Sequence, residues 1–175
     1  MLGVRQKDLL SIGSGLIGAN GSLKARLNPA LAPCDRRDPN PYPFSFVQNA
    51  ALQALIDWIT TGKPAPHAPR LAVKHLTTQP EPLLDRHGNA LGGVRTPYTD
   101  VPDRTYVAFG SGPSLCLLEG HSNRFDRRLL RSLYRSRRDY VRKFTDSAAL
   151  TVRRGLWLPK DAEYAIRQAR QLRIR

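Results

Sequence analysis

The feature that most constrains this fold is the stretch Asp85-Arg86-His87-Gly88-Asn89-Ala90-Leu91-Gly92-Gly93-Val94-Arg95-Thr96-Pro97. No helix runs through three glycines this close together, because glycine is the poorest helix former after proline. The Arg86-His87-Gly88-Asn89 tetrad predicts a turn, with Leu83-Leu84 leading in and Ala90 to Val94 as the return strand. Gly92 and Gly93 permit tight backbone geometry that other residues resist. Leu71-Ala72-Val73, Thr105 to Phe109 and Leu115 to Leu118 are further short strand candidates, the last two separated by Gly110-Ser111-Gly112-Pro113. Residues 70–120 therefore read as short strands and turns.

Helical patterns flank this region. From Phe46 to Ile59 apolar residues fall at 47, 51, 54, 55, 58 and 59, which is helical spacing on one broad face. Thr61-Gly62-Lys63-Pro64 stops that helix, with glycine just past the end and proline beyond it. Pro64, Pro66 and Pro69 make an extended linker. In the last third, Phe125 to Arg135 carries Leu129, Leu130, Leu133 and Tyr134. Ser136-Arg137-Arg138-Asp139 predicts a capping box opening a helix that aligns Tyr140, Val141, Phe144, Ala148 and Val152 and ends at Gly155. Pro159 starts a final helix with a stripe of Ala162, Ala165, Ile166, Ala169 and Leu172. By contrast residues 1–45 are broken by five glycines and five prolines and read as a loose leader. The chain as it stands is α+β: one amphipathic helix, short strands and a helical C-terminal third.

A chain of 175 residues suits one domain with a real core. It holds no apolar run near the roughly 20 residues that span a bilayer, and no signal-peptide pattern. The expectation is a cytoplasmic protein in which Cys34 and Cys116, far apart in sequence, stay reduced. The net charge is +14 and uneven. Residues 124–175 hold 16 Lys and Arg against 5 Asp and Glu, and arginine outnumbers lysine 22 to 6.

Several patterns come close to catalytic or binding motifs. Gly13-Ser14-Gly15-Leu16-Ile17-Gly18 spells a dinucleotide fingerprint, with Asp38 downstream, but lacks the strand before it and the helix after it. Gly112-Pro113-Ser114-Leu115-Cys116 misses the nucleophile elbow by its last residue and reads as a turn entering a strand. His67, His75, His87 and His121 are not spaced as metal ligands, so no metal or cofactor is expected. Glu119 and His121 share a strand face, which suits a surface ion pair better than an acid–base couple. The basic run is fuller: Arg124, Arg127, Arg128, Arg131, Arg135, Arg138 and Arg142 recur at steps of three and four. If the two helices join, these form one cationic stripe able to release counterions from a nucleic acid. The competing reading is a solvated helix face, and an anionic membrane or acidic partner is a third.

Three ordered blocks carry a resemblance. The first is Cys34, then Asn49-Ala50-Ala51-Leu52-x-Ala54-Leu55-x-x-Trp58 and Gly62-x-Pro64. The second is Asp85-x-x-Gly88-Asn89-Ala90-Leu91-Gly92-Gly93-Val94-Arg95-x-Pro97 followed by Val101-Pro102. The third is Leu115-Cys116-x-Leu118-x-Gly120, Phe125, and Asp139-Tyr140-Val141 through Leu158-Pro159-x-Asp161-Ala162. With these blocks, residues 33–170 resemble the C-terminal part of a bacterial family of alpha/beta hydrolase domain-containing proteins. The resemblance implies ester or amide hydrolysis, chemistry that needs an elbow serine, a histidine base, an orienting acid and an oxyanion hole. In the family the histidine lies upstream of the segment matching Asn49, whereas this chain has no histidine before His67 and no G-x-S-x-G. No catalytic residue is carried over, and the 46–59 helix is expected to pack on the hydrolase sheet. The expectation is a loose leader over 1–32 and a C-terminal hydrolase segment over 33–175, non-catalytic alone, with an upstream-encoded core chain as its partner. A basic nucleic-acid-binding protein is the alternative.

Overall fold

A computed structural model describes residues 40–74, 81–110 and 120–172 of the chain. The expected leader, His75, the strand over 115–118 and both cysteines lie outside the described residues. The elements run α1 (Phe44–Thr61), β1 (Val73–Lys74), β2 (Glu81–Pro82), α2 (Pro97–Asp100), β3 (Arg104–Val107), β4 (His121–Arg124), α3 (Arg127–Leu133), α4 (Arg137–Arg153) and α5 (Pro159–Ala169). This is the α+β content expected, with two small two-stranded sheets, β1–β2 and β3–β4. β1 and β2 are antiparallel, pairing Val73 with Pro82 and Lys74 with Glu81.

The chain divides into two compact units. One comprises residues 1–42 and 106–123. Its described residues are joined by Asn40, whose backbone N–H donates to Gly120 O at 3.1 Å and whose Nδ2 donates to Val107 O at 3.2 Å. Tyr42 meets Tyr106 edge to face, with centroids 5.4 Å apart.

The other unit, residues 43–105 and 124–175, holds the core. Val101, Leu130, Tyr134, Tyr140, Phe144, Trp157 and four alanines form it, with Phe46, Val47 and Tyr98 against them. Ala148 of α4 and Ala165 of α5 are fully buried, and their small side chains let the two helices approach closely. Aromatic rings fill the space between helices: Tyr98 meets Phe144 edge-on at 5.3 Å, and Phe46 meets Trp157 at right angles at 5.4 Å. The buried Trp157 Nε1–H has no hydrogen-bond partner among the described residues, so its environment here is these rings.

Two expectations change on contact with the structure. First, α1 buries its N-terminal half through Phe46, Val47 and Ala50, while Leu55, Trp58 and Ile59 on the expected core face stand exposed, Ile59 at 76 %. The described aromatic core reaches the start of this helix and not its outer face. Second, the return strand is a single bridge between Leu84 and Ala90. Gly92 and Gly93 take φ of +73° and +64°, which turns the backbone out of an extended path. As the Ser136 cap predicts, α3 and α4 are separate helices. Tyr134 breaks the run with extended backbone, and its hydroxyl donates to Pro102 O at 2.8 Å inside the core.

Helix ends follow the sequence closely. Gly62 closes α1 in the left-handed conformation, and Pro159 opens α5. Ser136 caps α4, its Oγ accepting from the Asp139 N–H at 3.1 Å. The reciprocal arm of the capping box is displaced by one residue: the Asp139 carboxylate accepts from the Arg135 N–H at 3.2 Å rather than from Ser136.

Candidate functional site

The glycine-rich signature folds into a braced turn beside a cleft. Asp85 opens the turn. Its Oδ1 accepts from the N–H groups of His87 at 2.8 Å and Asn89 at 3.0 Å, while its own carbonyl accepts from Gly88 N–H at 2.9 Å. Gly88 takes a φ of +77° that few other residues adopt. Asn89 is fully buried, and its Nδ2 donates to Arg104 O at 3.3 Å. Thr105 Oγ1 donates to His87 O at 2.6 Å and holds the turn from the other side.

Arg95 locks this turn to α2. Nη2 donates to Asp85 Oδ2 at 3.0 Å and to Thr99 O at 2.7 Å; Nε donates to Asp100 Oδ1 at 2.6 Å; Nη1 donates to Ala90 O. Only the planar five-donor fork of arginine can serve four acceptors laid out this way. Partial burial works to raise the Asp85 pKa, but the Asn89 and His87 N–H groups and Arg95 outweigh it and hold the carboxyl below its usual range. Burial likewise opposes the charge on Arg95, and Asp100 and Asp85 override it and raise its pKa. Sequence reading noted the glycines and missed this ion pair. The signal available was two opposite charges ten residues apart across a turn.

The adjoining cleft, of about 540 Å³, is walled by His87, Arg95, Pro102, Tyr134, Lys143 and Asp146 among others. Its charges are committed. Lys143 Nζ reaches Asp139 Oδ2 at 3.0 Å and Leu133 O at 3.1 Å, and Asp146 faces Arg142 at 3.4 Å. Thr99 Oγ1 donates to Thr96 O at 3.0 Å, and His87 packs at a tilt against Phe125 while its Nε2 accepts from Arg86 Nε at 3.0 Å. The arrangement stiffens a turn. It does not set a nucleophile beside a base.

The arginines expected to form a stripe are placed on separate elements. Arg124 ends β4; Arg127, Arg128 and Arg131 lie on α3; Arg135 lies in the break; Arg138 and Arg142 lie on α4. All seven are exposed. Arg142 bridges Asp139 at 2.9 Å and Asp146 at 3.4 Å. Arg137, which the sequence reading left out of the stripe, is exposed at the start of α4.

The remaining candidates are dispersed. His67 is exposed in the linker and His121 sits on β4. Gly13 to Gly18, Asp38, Glu119 and the segment from Gly112 to Cys116 fall outside the described residues. Among the described residues no three His, Cys, Asp or Glu side chains gather to hold a metal ion. No described helix is long and apolar enough to cross a membrane.

Comparison with known proteins supplies one match. The model of a family described as "Alpha/beta hydrolase domain" aligns with residues 15–167. No curated protein matches the chain, and no solved structure matches it. Since the aligned region takes in most of the sequence, including the Asp85–Arg95 turn, helices α1 to α4 and most of α5, the chain belongs to the alpha/beta hydrolase domain family.

Proposed function

We propose that the chain is the C-terminal segment of an α/β-hydrolase-type ester or amide hydrolase, non-catalytic alone, and that it works with a partner chain carrying the nucleophilic serine and the histidine base. One observation carries this reading. Helix α1 contains a single charged residue, Asp57, in 18 positions, yet Leu52, Leu55, Ile56, Trp58 and Ile59 are between 46 and 76 % exposed. A broad apolar helix face left this exposed is built to be covered. The absence of any G-x-S-x-G, or of a histidine before His67, supports the same division of labour. In this reading both chains are cytoplasmic, where Cys34 and Cys116 remain thiols.

The test is hydrolysis of a short p-nitrophenyl ester. The purified chain gives no rate above the buffer, and co-expression with an upstream-encoded chain bearing an elbow serine and a histidine restores turnover. Ile59→Asp changes stability by less than about 0.5 kcal/mol, as surface substitutions do, but abolishes that restoration. An esterase rate from the chain alone refutes the proposal.

A further inference from the structure

We propose that the exposed arginines of α3 and α4 form a sequence-independent binding surface for duplex nucleic acid, independent of any hydrolase role. Between residues 127 and 138 the chain carries six arginines and no acidic residue. All six, Arg127, Arg128, Arg131, Arg135, Arg137 and Arg138, are exposed. Among the described residues none of them forms an ion pair, whereas Arg95, Arg104 and Arg142 all do.

The neighbouring carboxylates are engaged elsewhere. Asp126 Oδ1 accepts from the Leu129 N–H at 2.7 Å. Asp139 is held by the Arg135 N–H, Arg142 and Lys143, and Asp146 by Arg142. Six like charges are thus gathered with no ion-pair partner among the described residues, and each repels the others. Arg137 and Arg138 also occupy the first turn of α4, where the helix dipole disfavours cations. A polyanion removes this repulsion, and its condensed counterions are released as it binds.

The scaffold beneath is fixed. Leu130, Tyr134 and Tyr140 are buried under the arginines, and Tyr134 is tied to Pro102. The guanidinium groups therefore project from a core-anchored corner rather than from a tail.

Two features choose the partner. No large apolar side chain from 124 to 149 is prominently exposed, so the surface lacks the anchors that an interfacial membrane helix inserts. Nor does it present stacking aromatics: Tyr134 and Tyr140 are buried and Phe125 packs on His87. Single strands are gripped through such rings. Phosphates of a duplex backbone, matched by forked guanidinium groups, are what remains.

The experiment is fluorescence anisotropy of the full chain with labelled duplexes of mixed sequence across a salt series. The expected result is binding that is indifferent to sequence, with log affinity falling against log salt at a slope of about −4 to −5, close to −0.9 per phosphate contact. The variant R128E/R131E/R138E loses at least tenfold in affinity and its slope flattens by about 3. The variant K63E/R70E/K160E carries the same change in net charge at other exposed sites and keeps most of the affinity. Circular dichroism checks that both variants are folded. No binding at low salt, equal losses in the two variants, or tighter binding to phosphatidylserine vesicles than to duplex overturns the proposal. Ester hydrolysis by the chain, which refutes the hydrolase reading above, leaves this one unaffected.

Discussion

Asn49 Nδ2 donates to Asp161 Oδ2 across 3.1 Å, linking α1 to α5 over 112 residues of sequence. Both residues belong to blocks that carry the family resemblance, and the bond accounts for their joint presence. Asp161 is only 8 % exposed, so its carboxylate depends on protein donors rather than water. Asn49→Ala is expected to destabilise the chain by about 1–3 kcal/mol, because the partner is left buried and short of a donor. Urea unfolding of the two proteins measures it. An unchanged midpoint contradicts the account.

Arg95 is the brace of the glycine turn. Arg95→Ala leaves the Asp85 and Asp100 carboxylates and the Thr99 and Ala90 carbonyls without their shared donor. The expected loss is about 2–4 kcal/mol, given that hydrogen bonds to charged groups contribute about 1.5–3 kcal/mol and solvent screens part of this partly exposed network. Arg95→Lys recovers only a minority of it, since an ammonium cannot span the four acceptors. Full recovery by lysine argues against the fork geometry.

Two glycines separate strain from crowding. At Gly62 φ is +74° and a Cβ meets nothing within 4 Å; at Gly92 φ is +73° and a Cβ lands 2.2 Å from Arg70 O. Gly62→Ala therefore costs the left-handed penalty alone, about 1–2 kcal/mol. Gly92→Ala costs clearly more, because backbone must move as well. Thermal melts of both variants decide it, and equal shifts contradict the close approach of residues 70–72 to the turn.

Acid should loosen α4. The Lys143 ammonium, followed by Arg142 and the Arg135 N–H, overcomes partial desolvation and holds the Asp139 carboxyl down to about 2, against an ordinary value of 3.8. A depressed carboxyl pKa stabilises the fold above the unfolded-state value and ceases to do so as pH falls through the folded one. The parent protein should thus lose stability between about pH 4 and pH 2. Asp139→Asn should be less stable above that window and converge with the parent at its lower end. Asp85, also depressed, contributes in the same direction. Thermal melts at successive pH values test this, and parallel curves for parent and variant contradict it.

Signals in the sequence are legible where the physics is local. The αL glycine after α1, the Ser136 cap and the proline at the start of α5 each announce a helix end, and all three stand where expected. The alternation of Tyr140, Phe144 and Ala148 marks a face that does pack. What the sequence hid depends on distance or on what covers a surface. Arg95 and Asp85 look like two ordinary charges until the turn brings them to 3.0 Å. Periodicity in α1 identified an apolar face but could not say which part of it meets this core, and the exposed part is the larger. The arginine spacing continues through Tyr134 without a break, and only the structure shows that the core pulls that residue inward and ends α3 there.

The central proposal is that the chain acts as one segment of a hydrolase and has no hydrolase activity until its α1 face is covered by a chain bearing the serine and histidine. The most direct measurement is the rate of p-nitrophenyl ester hydrolysis by the purified chain, alone and then co-purified with such a chain. The account predicts the buffer rate alone and turnover only in the complex, lost again with Ile59→Asp. Saturable hydrolysis by the chain alone contradicts it.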